Sequence, residues 1–315
     1  MRGMLECRTM PRIVFMGTPE FAVPSLNALI VHHEVVGVVT QPDRPAGRGR
    51  QLSESPVKQA ARAAGLAVIQ PSKLREPDAM ARLTAWAPDV IVVAAFGQIL
   101  KPAVLDLPLH GCINVHASLL PRHRGAAPIA AAILAGDAET GITIMRMEVG
   151  LDTGPVIAKR AEPIRPDDTT ATLTARLAQV GAELLSDTLP DYVSGKLQPT
   201  PQDNALATYA PQLKKEDGHL DFTRPAIELE RRVRAFAPWP GAFALWNGHL
   251  KILRASVIEE ARAEPGVVFQ SEGGLAVACG AGALLLGEIQ PAGKKPMPAA
   301  DFARGARQLI GMLLA

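Results

Sequence analysis

A chain of 315 residues exceeds one ordinary hydrophobic core and calls for two domains. With 48% hydrophobic and 20% charged residues it has a globular composition, which excludes a disordered or fibrous protein. A formal net charge of +2 is too small to argue for nucleic acid, so any basic footprint must be local.

Three cysteines, Cys7, Cys112 and Cys279, are odd in number and far apart. They read as reduced thiols of a cytoplasmic protein, with Cys112 a small core residue rather than a nucleophile. The first ten residues carry charge but no apolar core, so a signal peptide is not expected, and Met10 serves as a start as well as Met1 or Met4. No apolar run approaches the roughly 18 residues of a membrane span. No group of residues has metal-ligand spacing, and no metal is expected.

In chain order, Arg12 to Met16 reads as a strand ending at Gly17, followed by strands at Glu34 to Thr40, Asp89 to Ala95 and Gly111 to Val115. Near-continuous apolar strands separated by helices predict a mostly parallel α/β sheet covered on both faces. Thr140 to Met147 alternates more and fits an antiparallel addition, and Thr169 to Leu189 fits a long amphipathic helix. The first βα turn, Gly17-Thr18-Pro19-Glu20-Phe21, has one glycine of the three that a dinucleotide fingerprint needs, so the sheet is Rossmann-like without a nicotinamide. Pro19 suits a first helical turn with Thr18 as its cap. The proline-rich polar stretch 198–212 reads as a linker. Beyond it come a helix near Pro225 to Phe236 and five short strands between Ala242 and Glu288, which predict a small β-barrel. The expected domains are 11–197 and 213–315.

Asn114-Val115-His116 carries the sharpest chemistry. In a strand ending near Val115, residues 114 and 116 face the same side, at the carboxyl end where ligands bind in such sheets. An amide can hold a developing oxyanion, and an imidazole can move protons near neutral pH. Ala117 to Gly125 (Ala-Ser-Leu-Leu-Pro-Arg-His-Arg-Gly) is too polar and proline-broken for a helix and reads as a binding loop. Asp152, between Gly150 and Gly154, lies on a tight loop, from which its carboxylate could orient His116 and favour its protonated form. The alternatives are plain ones: a satisfied structural Asn and His, and an Asp serving its own turn. Ser118 lacks the strained turn of a hydrolase nucleophile, so the substrate would bring its own nucleophile.

The segment Asn114-Val115-His116-Ala117-Ser118-Leu119-Leu120-Pro121, with Asp152 in Gly150-Leu151-Asp152-Thr153-Gly154, resembles the active site of the 10-formyltetrahydrofolate-dependent formyltransferases. Three further stretches resemble the branch of that family acting on methionyl-tRNA: Thr40 to Arg50, Arg234 to Pro240, and Gln290 to Lys295. The resemblance implies a Rossmann-like catalytic domain, a C-terminal barrel similar to an OB-fold, and formyl transfer from 10-formyltetrahydrofolate to the α-amino group of methionyl initiator tRNA. It implies Asn114, His116 and Asp152 as the catalytic trio. It implies Ser118, Leu119, Leu120 and Pro121, with the loop Phe96, Gly97, Gln98 and Ile99, as the folate site. Arg44, Arg48 and Arg50 would meet the tRNA acceptor stem, with Lys214, Lys215, Arg232, Lys294 and Lys295 as further phosphate contacts. Trp239 could stack a base, and packing between domains is the plainer expectation. A monomer is expected. Three rivals stay open: formylation of a small amine, a tRNA-binding module without catalysis, and hydrolysis of formyltetrahydrofolate.

Overall fold

A computed structural model describes residues 10–46, 51–259, 263–305 and 309–314. The chain forms two compact units. The first comprises the chain up to Gly125, Thr140–Pro163 and Thr174–Tyr209; the second comprises Ala126–Glu139, Ile164–Leu173 and the chain from Ala210.

The first unit starts with β1 (Arg12–Gly17), α1 (Val23–His32) and β2 (Glu34–Val39). A hairpin of β3 (Arg44–Ala46) and β4 (Gln51–Ser53) follows, then α2 (Pro56–Ala63), β5 (Val68–Ile69), α3 (Pro77–Trp86), β6 (Val90–Ala94), α4 (Pro102–Leu105), β7 (Cys112–His116) and the short β8 (Arg124–Gly125). After α5 (Pro128–Ala135) of the second unit come β9 (Glu139–Arg146), β10 (Val156–Pro163) and the helix α6 (Thr170–Val193). Seven strands make one sheet in the order β10-β9-β7-β6-β1-β2-β5. Pairings from β7 through β6, β1 and β2 to β5 are parallel, and β9 runs antiparallel to β7, as expected. Every residue of β6, Val-Ile-Val-Val-Ala, is buried, as a strand covered on both faces must be.

From β1 the chain winds outward to β5, then returns to β6 on the other side of β1. In such sheets ligands bind outside the carboxyl ends of the strands at that reversal, here β1 and β6. Thr18 does not cap a helix. Its hydroxyl donates to the Phe96 carbonyl (3.2 Å) and accepts from the Gln41 N–H (3.3 Å), tying together the loops after β1, β6 and β2. A single 3₁₀ turn, Glu20–Ala22, precedes α1 instead.

After the two-residue β11 (Tyr209–Ala210), the second unit continues with α7 (Ala226–Ala235), β12 (Phe243–Leu245), β13 (His249–Ile258), β14 (Val268–Ser271), β15 (Gly274–Ala278), β16 (Ala283–Gln290), β17 (Met297–Pro298) and α8 (Ala299–Gly305). The antiparallel order is β12-β13-β16-β15-β14, with β17 on β16. The sheet curls into an antiparallel half-barrel, in line with the small barrel expected from the sequence. Its apolar face is covered by α7 and α8, with Leu229, Val233 and Phe302 in one core with Leu250, Ile252, Val277 and Leu284. The edge at β14 is capped by the C-terminal segment, where Val268 donates to Met312 and Gly311 donates back to Val268.

Candidate active site

β7 is pinned on both sides: Asn114 is in register with Val93 of β6 and Met145 of β9, and His116 with Thr143. Cys112, Asn114 and His116 share one face by strand alternation. Cys112 is fully buried in the core, and burial pushes its thiol up to about 12, so it is inert packing. Asn114 is half-buried, and its side-chain amide makes no hydrogen bond to any described residue. A fixed, unpartnered amide at a strand end is free to donate to a reacting oxygen.

His116 is 5% exposed, and its Nε2 lies 3.1 Å from the His123 carbonyl. A carbonyl only accepts, so the ring proton sits on Nε2 and Nδ1 keeps its lone pair. The Asp152 Oδ2 atom lies 3.7 Å from Nδ1, too long for a direct hydrogen bond. Asp152 is held instead by the Gly125 N–H, which donates to Oδ2 at 2.9 Å. Burial holds the His116 pKa below the ordinary imidazole value, against the opposing pull of the Asp152 charge and the His123 carbonyl. The carboxylate does favour the protonated ring, as the sequence suggests, but desolvation has the larger effect and lowers the pKa.

The loop 117–125 is a buried frame more than a basic surface. Arg122 is exposed, but His123 and Arg124 are buried. The Ser118 hydroxyl donates to the Arg122 carbonyl (2.6 Å). Thr143, fully buried, donates its hydroxyl to the Ser118 carbonyl (2.7 Å) and accepts from the Leu120 N–H (3.1 Å). Lys159 Nζ donates to the Leu120 carbonyl, and its partial burial lowers its pKa. The Leu120–Pro121 peptide is cis. Leu120 itself is buried, whereas Leu119 and Pro121 are half-buried.

The loop after β6 lies at the neighbouring strand end. Phe96 is buried, Gly97 has φ of 84° and Ile99 is 79% exposed. Gln98 turns away: its amide donates to the Pro71 carbonyl (3.1 Å) and accepts from the Leu74 N–H (3.1 Å).

Of the basic residues singled out, Arg44 is exposed on β3, while Arg48 and Arg50 lie outside the described residues. The base of that hairpin is fixed, since Asp43 pairs with Lys58 (2.5 Å) and accepts from Gln70 (2.7 Å). Lys214, Lys215, Lys294 and Lys295 are exposed in the second unit. Arg232 is half-buried, stacked over the Phe236 ring (5.6 Å) and donating to the Asp217 carbonyl (3.3 Å), so its charge is engaged internally. Trp239 is 53% exposed.

Residues that the sequence alone did not single out complete the frame: Thr143, Lys159, His123 through its carbonyl, Gln202, and Thr208, whose hydroxyl accepts from the His123 N–H (2.9 Å). Polarity inside an apolar sheet was the one available signal for Thr143. Gln202 and Thr208 lie in the stretch read as a linker, where polar composition masks a packed role.

The first unit is thus a Rossmann-like sheet carrying an amide, an imidazole and a carboxylate at its carboxyl edge. The sequence matches the formyl transferase family over residues 11–189 and its C-terminal domain over 212–307, and the chain belongs to that family. Among similar proteins are the methionyl-tRNA formyltransferases of Myxococcus xanthus, 53% identical over 96% of this chain and 97% of its own length, and of Roseiflexus sp., 51% identical over 94% and 93%. Solved structures share the fold. The sugar 3N-formyl transferase WlaRD gives a TM-score of 0.67 at 18% identity, covering 91% of this chain and 99% of its own. HypX of Aquifex aeolicus, in complex with tetrahydrofolic acid, gives 0.60 at 18% identity over 96% of this chain and 48% of its own.

Proposed function

We propose that this chain transfers the formyl group of 10-formyltetrahydrofolate to the α-amino group of methionyl initiator tRNA. Most support comes from the identity of about half the residues with methionyl-tRNA formyltransferases across nearly the whole chain, both family domains included. Formylation of a small amine does not need the arginine stretch of Arg44, Arg48 and Arg50.

Asn114, His116 and Asp152 are the proposed catalytic set. The attacking amine must lose its proton, and the neutral His116 ring offers the Nδ1 lone pair to take it. Attack on the formyl carbon puts negative charge on its oxygen, towards which the free Asn114 amide can donate. The imidazolium so formed lies beside the Asp152 carboxylate, which stabilises it, and can return the proton to the leaving N10 nitrogen. A neutral ring at rest suits this order, since a ring already protonated could not act as the base.

For the folate, the proposed contacts are the 118–121 segment and the 96–99 loop. The Ser118 hydroxyl, the Leu120 side chain and the Gln98 amide are used internally. Main-chain groups, with the half-buried Leu119 and Pro121 and the exposed Ile99, are left for the ligand. The tRNA is assigned to the sequence stretch bearing Arg44, Arg48 and Arg50 and to Lys214, Lys215, Lys294 and Lys295 of domain 213–315, with 198–212 as connector. The protein is taken to work as a cytoplasmic monomer. The test is single-turnover formylation of charged initiator tRNA. Product on methionyl-tRNA, with none on free methionine or a sugar amine, supports the reading; formylation of a small amine at comparable rate overturns it.

A further inference from the structure

Gln202 lies in the stretch that composition marks as a connector, yet its side-chain amide is saturated within the first unit. Its Nε2 donates to the main-chain oxygens of Asp152 (2.8 Å) and Gly154 (2.7 Å), and its Oε1 accepts from Arg124 Nε (3.1 Å) and Nη2 (2.7 Å). An amide has two donor hydrogens and two acceptor lone pairs, and all four are used. Arg124 is 2% exposed, and its Nη2 also reaches Asn204 Oδ1 (2.8 Å). The next residue, Gly125, donates to the Asp152 carboxylate. Asp152 is thus gripped at its carbonyl by Gln202 and at its carboxylate by Gly125. Its backbone has φ of 52°, a conformation uncommon for a residue with a side chain, which persists where the surroundings hold it.

The same segment holds the other neighbour of the His116 ring. Thr208 accepts from the His123 N–H through its hydroxyl and from the Arg124 N–H (2.9 Å) through its carbonyl, and its own N–H donates to Pro121 (3.3 Å). The His123 carbonyl receives the His116 Nε2 proton. Residues 202–208 therefore brace both groups that flank the imidazole, one at each ring nitrogen.

We infer that Gln202, from the connector segment, and Arg124, from the loop 117–125, are positioning residues of the transfer reaction, fixing the Asp152 carboxylate against His116 Nδ1. The inference rests on the formyl-transfer reading and adds to it residues that touch no substrate. A carboxylate on a tight loop displaced by about 1 Å can cost on the order of a hundredfold in rate.

The test is a double-mutant cycle. Gln202→Glu keeps an oxygen for Arg124 but replaces both donors with an acceptor facing two carbonyls. Single-turnover transfer is measured for wild type, Gln202→Glu, Asp152→Ala and the double variant. Gln202→Glu should slow the chemical step about tenfold or more, leave KM for both substrates within about twofold, and have no further effect in the Asp152→Ala background. An equal slowing with and without Asp152 would overturn the inference. Gln202→Ala, carried through the same cycle, covers failure of the Glu variant to fold. A second readout needs no substrate: NMR titration of the His116 ring, whose facing charged and titratable groups are Asp152 and His123. In Gln202→Ala the ring should titrate at lower pH than in wild type, as the carboxylate swings away. An unchanged titration also overturns the inference. Failure of wild type to formylate methionyl-tRNA would sink the substrate reading and leave the titration to decide this one.

Discussion

His116 reaches neutrality through burial, with the Asp152 charge pulling the other way and losing. Two pH effects follow with the same sign. The base is lost when the folded ring takes up a proton, so kcat/KM should fall on the acid side with a midpoint below the ordinary imidazole value of about 6.5. A pH–rate profile with its acid limb centred above pH 7 would contradict this. The unfolded chain binds that proton more readily than the folded one. The His116 contribution to stability is therefore intact above about pH 6.5 and declines as pH falls towards the lower folded value. Comparing thermal unfolding of wild type and His116→Asn at pH 7.5 and 5.5 should show the smaller acid-side loss in the variant. Asn114 carries a different expectation. Its amide has no partner to lose among the described residues, so Asn114→Ala should leave stability nearly unchanged while slowing single-turnover transfer by about a hundredfold or more. A variant that is both stable and fully active would remove Asn114 from the mechanism.

At the scale of the element, the Asp152 loop is shaped by contact as much as by hydrogen bonds. A Cβ on Gly154 would stand 1.9 Å from the Arg146 carbonyl oxygen at the end of β9, and backbone cannot give way as a side-chain tip can. Gly154→Ala should destabilise by about 1–3 kcal/mol, read by urea unfolding, and should slow transfer because the loop must shift. The strands were legible in the sequence because a buried parallel strand needs an unbroken apolar run, as in Val90–Ala94; the antiparallel strand expected at Thr140 to Met147 is found at Glu139–Arg146, but it is buried on both faces and its burial does not alternate. Asn114 and His116 were legible too, since strand period alone puts them on one face. Arg124, Gln202 and Thr208 were not. Charged and polar residues among prolines read as surface until the carbonyls of Asp152, Gly154 and Pro121 are placed in reach. Thr18 was misread for the same reason: its partner, Phe96, is distant in sequence. The small barrel expected from five short strands is present as a curled half-barrel, with two helices and a terminal segment covering it.

Over the whole molecule, a net charge of only +2 means that tRNA must be held by local clusters and not by a general field. Arg48→Ala should therefore weaken use of tRNA far more than folate binding, and transfer at subsaturating tRNA should decline steeply with salt. Equal losses for both substrates would count against assigning Arg48 to the tRNA. Catalysis and tRNA recognition are ascribed to different parts of the chain, so their variants should separate cleanly: Asn114→Ala in the rate of the bound complex, Arg48→Ala in its formation. The most direct test is single-turnover transfer from 10-formyltetrahydrofolate with and without methionyl initiator tRNA, using wild type and Asn114→Ala. The account predicts formyl on the methionyl α-amino group, negligible folate turnover without tRNA, and a loss of about a hundredfold in the variant. Folate turnover independent of tRNA, or undiminished transfer by Asn114→Ala, would contradict it.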